Sequence, residues 1–356
     1  MADLPNSEAW PFVTVVMPVF NEERYIVRSL GAVVAQDYPA ERMEILVCDG
    51  RSTDRTRDMV ESMKLRHPGL RVVDNPRRTT ATGLNAGIRA ARGEIIIRVD
   101  GHAEIACDFV RACVEELRDS GADHVGGGVR AEGTTDFGWA AAFGTATPFG
   151  SGGSRFRYSD KAEWVDTVFQ GGWRREMFQR IGLFDEALKC NEDDEFNFRL
   201  GERGGKILLS PRLSSRYVTR ATPGSLFRQY YRYGFWKVRV MQKHPGRMRL
   251  HHFIPAGLVL ALLGGVGLGV WTRIGWLPLA VLVCIWSMGA IFFSVKGAVE
   301  RNWRTAVWLP LVYAILHISY GLGFLAGLVV FAGRWADREG RSPSLDADET
   351  ARGRES

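Results

Sequence analysis

Cysteine is scarce in this chain of 356 residues: there are five, an odd number, with no C-x-x-C pair. That pattern argues against a disulfide framework and a structural zinc site, and it suits reduced thiols in a cytosolic domain. Two phosphate-cradling fingerprints are also missing. No G-x-G-x-x-G follows the first apolar run, and no G-x-x-x-x-G-K-[ST] occurs, so neither a dinucleotide turn nor a P-loop carries the chemistry. The opening MADLPNSEAWPF holds acids and no apolar core, which predicts no signal peptide.

Acid is nearly absent where base is dense. Residues 201–252 carry twelve Lys/Arg against one acid, Glu202, a local charge of +11 in a chain of +6. Three stretches then lack charge altogether: 253–271, 274–295 and 305–333. Each matches or exceeds the roughly 18–20 apolar residues that span a bilayer. These stretches argue against a wholly soluble enzyme, although the mean hydropathy of −0.10 conceals them. A basic block abutting an apolar stretch marks the cytoplasmic side and is drawn to anionic headgroups. With no nucleic-acid module beside it, nucleic acid is not an expected partner.

What is present in the first half is alternation. Apolar runs at 12–17, 43–48, 70–73, 94–99 and 123–129 read as strands, with Pro18 ending the first. Helical patterns lie between them, from Asn21 to Gln36, Thr53 to Arg66, Thr80 to Ala91 and 108–119. Alternating strands and helices predict an α/β fold, a mostly parallel sheet with helices on both faces. Residues 131–165 show no period and read as a long loop region. Residues 166–210 return to helix and strand. Residues 212–252 read as basic amphipathic interfacial helices, 253–333 as about three transmembrane helices, and 334–356 as a polar, disordered tail.

In an open parallel sheet, ligands gather beyond the carboxyl ends of the strands. Three of those ends carry polar residues here: Asn21-Glu22, Asp49 and Asp100. Each alone is also an ordinary turn former; three in succession point to a binding site for a base edge, a ribose or a metal. In Asp100-Gly101-His102 a carboxylate and an imidazole stand two residues apart, able to hold one divalent ion near a diphosphate. A second cluster, Asn191-Glu192-Asp193-Asp194-Glu195, sets four acids in a row. Crowding raises carboxylate pKa values toward those useful in proton transfer, although a helix N-terminus also favours acids.

Taken together, VTVVMPVFNEERYIVRSL, LVCDGRSTDRT and TGLNAGIRAARGEIIIRVDGH resemble the family 2 inverting glycosyltransferases of GT-A, Rossmann-like fold. GGWRREMFQRIGLFDE and NEDDEFNFRL match two further family segments, and FRQYYRYG resembles the Q-x-x-R-W motif of membrane polysaccharide synthases. FGSGGSRFR, NEDDEFNFRL and RQYYRYG are similar to the succinoglycan-type exopolysaccharide glucosyltransferases. His102 stands where a second Asp is usual, Cys48-Asp49 where two acids are usual, and Tyr233 where Trp is usual.

The resemblance implies roles. Val19, Asn21, Glu22, Asp49 and Asp100 would bind a nucleotide-sugar, with Asp100 and His102 holding Mg²⁺ or Mn²⁺. Asp193 would be the catalytic base, with Glu192 beside it. Gly171, Gly172 and Trp173 would line the sugar or acceptor pocket, and Gln229, Arg232 and Tyr233 would complete it from the membrane side. The membrane stretches point to a lipid-linked saccharide acceptor, polyprenyl-diphosphate-linked, in exopolysaccharide or envelope glycan synthesis, with partners in an assembly complex. A processive synthase and an inactive membrane scaffold are the alternatives. The setting implied is the inner membrane, multi-pass, with the catalytic part in the cytoplasm. Three crossings would put the tail outside, yet Arg334, Arg338 and Arg341 follow the last stretch and the positive-inside rule wants them inside.

Overall fold

The computed structural model describes residues 10–337 and 342–345, and the chain divides into two compact units. Among the described residues, the first comprises 10–130, 159–217 and 342–345. It opens with β1 (Val13–Val19), α1 (Ile26–Val34), β2 (Met43–Asp49), α2 (Thr56–Lys64), β3 (Leu70–Asp74), α3 (Thr80–Ala90) and β4 (Ile95–Arg98). β5 (Ala103–Ile105), α4 (Phe109–Ser120) and β6 (His124–Glu132) follow. Strands run in the order β3-β2-β1-β4 and pair in parallel.

β1, β2 and β4 are apolar almost without interruption because both faces of this half-sheet are covered. Val15, Met17, Ile45, Val47, Ile97 and Val99 pack with Ile26, Leu30 and Val33 of α1 and Val110, Cys113 and Leu117 of α4. The other face receives α3, where a Cβ on Gly87 would collide with Val16.

The sheet is mixed rather than mostly parallel. Beyond β4 it continues β8-β6-β9-β5, with β7 beside β9, and β4–β8, β6–β8, β5–β9 and β7–β9 pair antiparallel. β7 is Glu163–Trp164, β8 Gly171–Arg174 and β9 Ile207–Val218; α7 (Glu176–Ile181) and α8 (Glu192–Glu202) lie between the last two.

Local corrections follow from neighbours distant in sequence. Pro18 does not end β1; it pairs with Cys48, past Val16↔Arg98, the last β1–β4 register pair, so its missing N–H removes no bond to β4. The first helix begins at Ile26 rather than Asn21, because the N–H groups of Asn21, Glu22 and Glu23 go to side chains of residues 52–56. Residues 212–218 are not interfacial helix but the second half of β9.

The second unit comprises, among the described residues, 131–158 and 218–337. The stretch read as a loop contains α5 (Asp136–Thr145) and α6 (Pro148–Ser151). Its period is hidden because α5 is buried nearly all round, its Ala140 and Ala141 in a cluster with Leu309, Val312 and Tyr313. α9 (Pro223–Lys243) is followed by α10 (Ile254–Trp271), α11 (Trp276–Glu300) and α12 (Trp303–Val330). The last three are each long and apolar enough to cross a membrane. All five cysteines are free. Of the tail, residues 338–341 and 346–356 lie outside the described residues; within it, Pro343 O accepts the Leu183 N–H at 3.0 Å.

Candidate active site

The parallel register ends β1 and β2 level, Val19 beside Asp49, and Asp49 beside Asp74. The loops that follow are fastened together. Asn21, at φ 55°, donates its N–H to Ser52 Oγ at 3.0 Å and accepts the Thr53 N–H on Oδ1 at 2.8 Å. Such left-handed backbone is costly outside glycine and persists only where surrounding bonds over-determine it. Asp49 is 1% exposed and accepts the Ser52 hydroxyl at 2.7 Å, with Arg57 at 3.5 Å. It is a buried carboxylate satisfied in place, at the edge where a base or ribose would lie.

Asp100 and His102 sit beyond β4. Gly101 between them is needed for close approach: a Cβ there would lie 2.8 Å from Val19 Cγ1. His102 Nδ1 is 2.8 Å from Glu22 Oε1. A carboxylate partner places the proton on Nδ1 and leaves the lone pair on Nε2, the arrangement common to metal-bound histidines. Among the described residues no three His, Cys, Asp or Glu side chains converge as a metal cluster. The hard oxygen of Asp100 and the oriented imidazole of His102 fit a divalent ion in kind. Two donors fall short of a full coordination shell, which diphosphate oxygens would complete.

A residue that the motifs did not single out ties this corner together. Arg98, 3% exposed, donates to both oxygens of Asp100 at 2.8 and 3.3 Å and to Glu192 Oε1 at 3.3 Å. Its guanidinium also lies over the Phe169 ring at 5.3 Å. Burial alone would lower the Arg98 pKa; the acids around it outweigh burial and raise it, so it stays charged. Its signal in the sequence is a lone cation inside the apolar run EIIIRV, where a buried charge demands partners.

The acidic cluster opens α8. Three of its four acids are engaged. Glu192 takes Arg98, Asp194 accepts the Thr167 hydroxyl at 3.0 Å, and Glu195 is bound by Arg199 through both oxygens at 2.9 Å. Asp193 has no side-chain partner among the described residues; Oδ1 accepts only the N–H of Asp194, at 2.9 Å. Burial, then the charges of Asp194 and Glu192, push its pKa up to about 7, partly opposed by Arg98. A carboxylate poised there can take a proton near neutrality. It acts only when ionised, so kcat/KM is expected to rise with pH and level off above about 7. A profile that is flat from pH 5 to 9 would remove Asp193 as the base.

The other predicted pocket residues fare differently. Gly171, at φ 155°, has no room for a Cβ because Val125 O fills the space, and a Cβ on Gly172 would meet Ile97 and Cys113 at 3.3 and 3.5 Å. Sheet and helix packing thus accounts for both glycines. Trp173 is 3% exposed, stacked on His124 with ring centroids 4.1 Å apart and edge-on to Phe178, Phe184 and Phe196. It is core rather than pocket lining. Gln229, Arg232 and Tyr233 lie on α9 in the second unit, Gln229 Nε2 donating to Tyr233 Oη at 2.9 Å.

Known proteins resemble this chain in sequence and fold. The profile of the family described as Glycosyl transferase family 2 matches residues 14–182. The dolichyl N-acetyl-alpha-D-glucosaminyl phosphate 3-beta-D-2,3-diacetamido-2,3-dideoxy-beta-D-glucuronosyltransferase of Methanococcus voltae is 28% identical over 326 residues, covering 89% of this chain and 97% of its own. Succinoglycan biosynthesis protein ExoA of Rhizobium meliloti (strain 1021) is 26% identical over 324 residues, covering 90% and 96%. Among solved structures, mannosyltransferase PcManGT from Pyrobaculum calidifontis, in complex with GDP-Man and Mn2+, aligns with a TM-score of 0.55 at 21% identity, covering 95% of this chain and 91% of its own. That likeness establishes the GT-A fold, and the match to residues 14–182 bears out a glycosyl transferase family 2 domain there.

Proposed function

Because residues 14–182 are a glycosyl transferase family 2 domain, we propose that this glycosyltransferase is inverting and extends a lipid-linked saccharide by one sugar. The donor is a nucleotide-sugar, UDP-linked, and the acceptor is polyprenyl-diphosphate-linked. The observation that carries the reading is Asp193, the acid of the cluster with no side-chain partner among the described residues, beside a network that reaches Asp100 through Arg98 and Glu192. In a single displacement, the acceptor oxygen bonds to the anomeric carbon as the bond from that carbon to the diphosphate oxygen breaks. The bonding pair leaves with the nucleoside diphosphate, the acceptor proton passes to Asp193, and one displacement inverts the centre.

Val19, Asn21, Glu22 and Asp49 take the nucleoside. Asp100 and His102 would hold a divalent ion, Mg²⁺ or Mn²⁺, whose charge neutralises the leaving diphosphate. Gln229, Arg232 and Tyr233 of α9 are the candidates to bind a lipid-linked diphosphate. The acceptor class is supported by the apolar helices and by the dolichyl phosphate-linked saccharide in the name of the Methanococcus voltae relative. The setting is the inner membrane, with the catalytic unit cytoplasmic, and exopolysaccharide or envelope glycan assembly supplies its partners.

The test is transfer by the full chain in lipid nanodiscs, given a panel of UDP- and GDP-sugars and a polyprenyl-diphosphate saccharide. One sugar added per acceptor is expected. No transfer from any donor would sink the reading, and a ladder of long products would mark a processive synthase. Asp100→Ala is expected to abolish both turnover and the Mn²⁺-dependent part of nucleotide binding seen by calorimetry. Full wild-type activity in excess chelator would overturn the metal's role.

A further inference from the structure

Helices α9 and α12 run side by side in the same direction. A Cβ on Gly234 would collide with the backbone of Tyr320, and one on Gly323 with the backbone of Tyr231. Further along, Gly327 faces Phe235 and Val238. At their ends Gln242 Nε2 donates to Phe331 O at 2.8 Å, and Arg239 donates to Arg334 O at 3.2 Å and to the Asp337 carboxylate at 3.1 Å. Residue numbers rise together along both helices, so the pair is parallel.

α10 and α11 instead form an antiparallel hairpin, Gly265 against Leu279 and Gly269 against Trp276. Apart from Gly269, the buried positions of α10 are Ala256 and Val259, at its start, and those of α11 are Ala290 and Gly297, in its second half. α12 meets that base and reaches as far as the middle of α11, where Trp286 Nε1 donates to His317 Nδ1 at 2.9 Å. Gly321 faces Pro255 and Val259, the Phe324 ring lies 5.8 Å from Phe253, and Leu309 abuts Gly297. Half of the most apolar window of α12 is buried in protein, against 17% for α10 and 6% for α11.

The chain also comes back to where it started. It leaves the first unit after Tyr217, and residues 342–345 belong to that unit again, Pro343 O bonded to the Leu183 N–H. Two ends in one compartment require an even number of crossings. α10 and α11 supply two. Were α12 a third, the fourth could only be α9. Successive crossings alternate in direction, so α9 and α12 would then be antiparallel, and they are parallel. α9 moreover carries Arg228, Arg232, Lys237, Arg239 and Lys243, a load the hydrocarbon core does not accept.

We propose that the chain crosses the membrane twice, through α10 and α11, and that α12 lies with α9 in the cytoplasmic interface as a platform beneath the hairpin. At about 1.5 Å per residue, helices of this length reach across a hydrocarbon core of about 30 Å. The platform side then carries Arg247, Arg249, Lys296, Arg301, Arg304 and Arg334, and the outer turn only Arg273. The conflict between three crossings and the basic residues after α12 disappears.

Cysteine labelling decides it, with the full chain in intact cells and Cys107→Ser and Cys284→Ser as background. Thr272→Cys is expected to react with a membrane-impermeant maleimide in intact cells. Ser344→Cys is expected to react only after permeabilisation. Labelling of Ser344→Cys in intact cells, or protection of Thr272→Cys, would overturn the proposal. A reporter after residue 356 gives a second measurement independent of any substitution. A fluorescent protein there should fluoresce and alkaline phosphatase should be inactive; the reverse pair of results places the tail outside and rejects the platform.

Discussion

Asp193→Asn is expected to cut turnover by about 10²–10⁴-fold, the usual contribution of a positioned general base, while nucleotide affinity stays at the wild-type value. The substitution keeps the shape, and Oδ1 can still accept the Asp194 N–H. What it removes is the capacity to take a proton at neutral pH. Glu195 is held through both oxygens by Arg199, and Asp194 accepts the Thr167 hydroxyl on Oδ1. Single-turnover transfer of a labelled sugar, beside nucleotide binding by calorimetry, separates the two effects. Turnover above a few per cent of wild type would move the base elsewhere; lost nucleotide affinity would mean that Asp193 belongs to the donor pocket.

Arg98→Met should destabilise the catalytic unit by about 3–5 kcal/mol, the cost of leaving buried carboxylates without their cation. Asp100 and Glu192 are 7% and 8% exposed, so neither can turn to water for relief. The thermal midpoint in nanodiscs should fall, and an unchanged midpoint would contradict the network. A second readout separates positioning from mere stability. Arg98 opposes the rise in the Asp193 pKa, so whatever activity Arg98→Met retains should show its pH profile displaced to higher pH. Arg98→Lys restores the charge without the two-pronged bond to Asp100, and should recover part of the stability and most of the profile.

The sequence by itself determined the alternation of strands and helices, the acids beyond β1, β2 and β4, the acidic opening of α8 and the three apolar stretches. Each is a short-range pattern: a period of a few residues, a turn after a buried strand, or a run long enough for a bilayer. It did not reveal which of the four neighbouring acids is left without a side-chain partner among the described residues. Arg98 lies 94 residues from Glu192 and Thr167 lies 27 from Asp194, and a carboxylate's ionisation depends on the charges and solvent around it, wherever in the chain they originate. The glycines at 171 and 172 show the same division. Their presence is plain in the sequence, but only the carbonyl of Val125 and the side chains of Ile97 and Cys113, brought up by folding, show what they make room for. For the membrane part, hydropathy identifies helices able to cross, because transfer into lipid depends on composition. Whether α12 crosses turns on its direction beside α9 and on the tail's return to Leu183. Both are contacts between distant segments, which hydrophobic length does not encode.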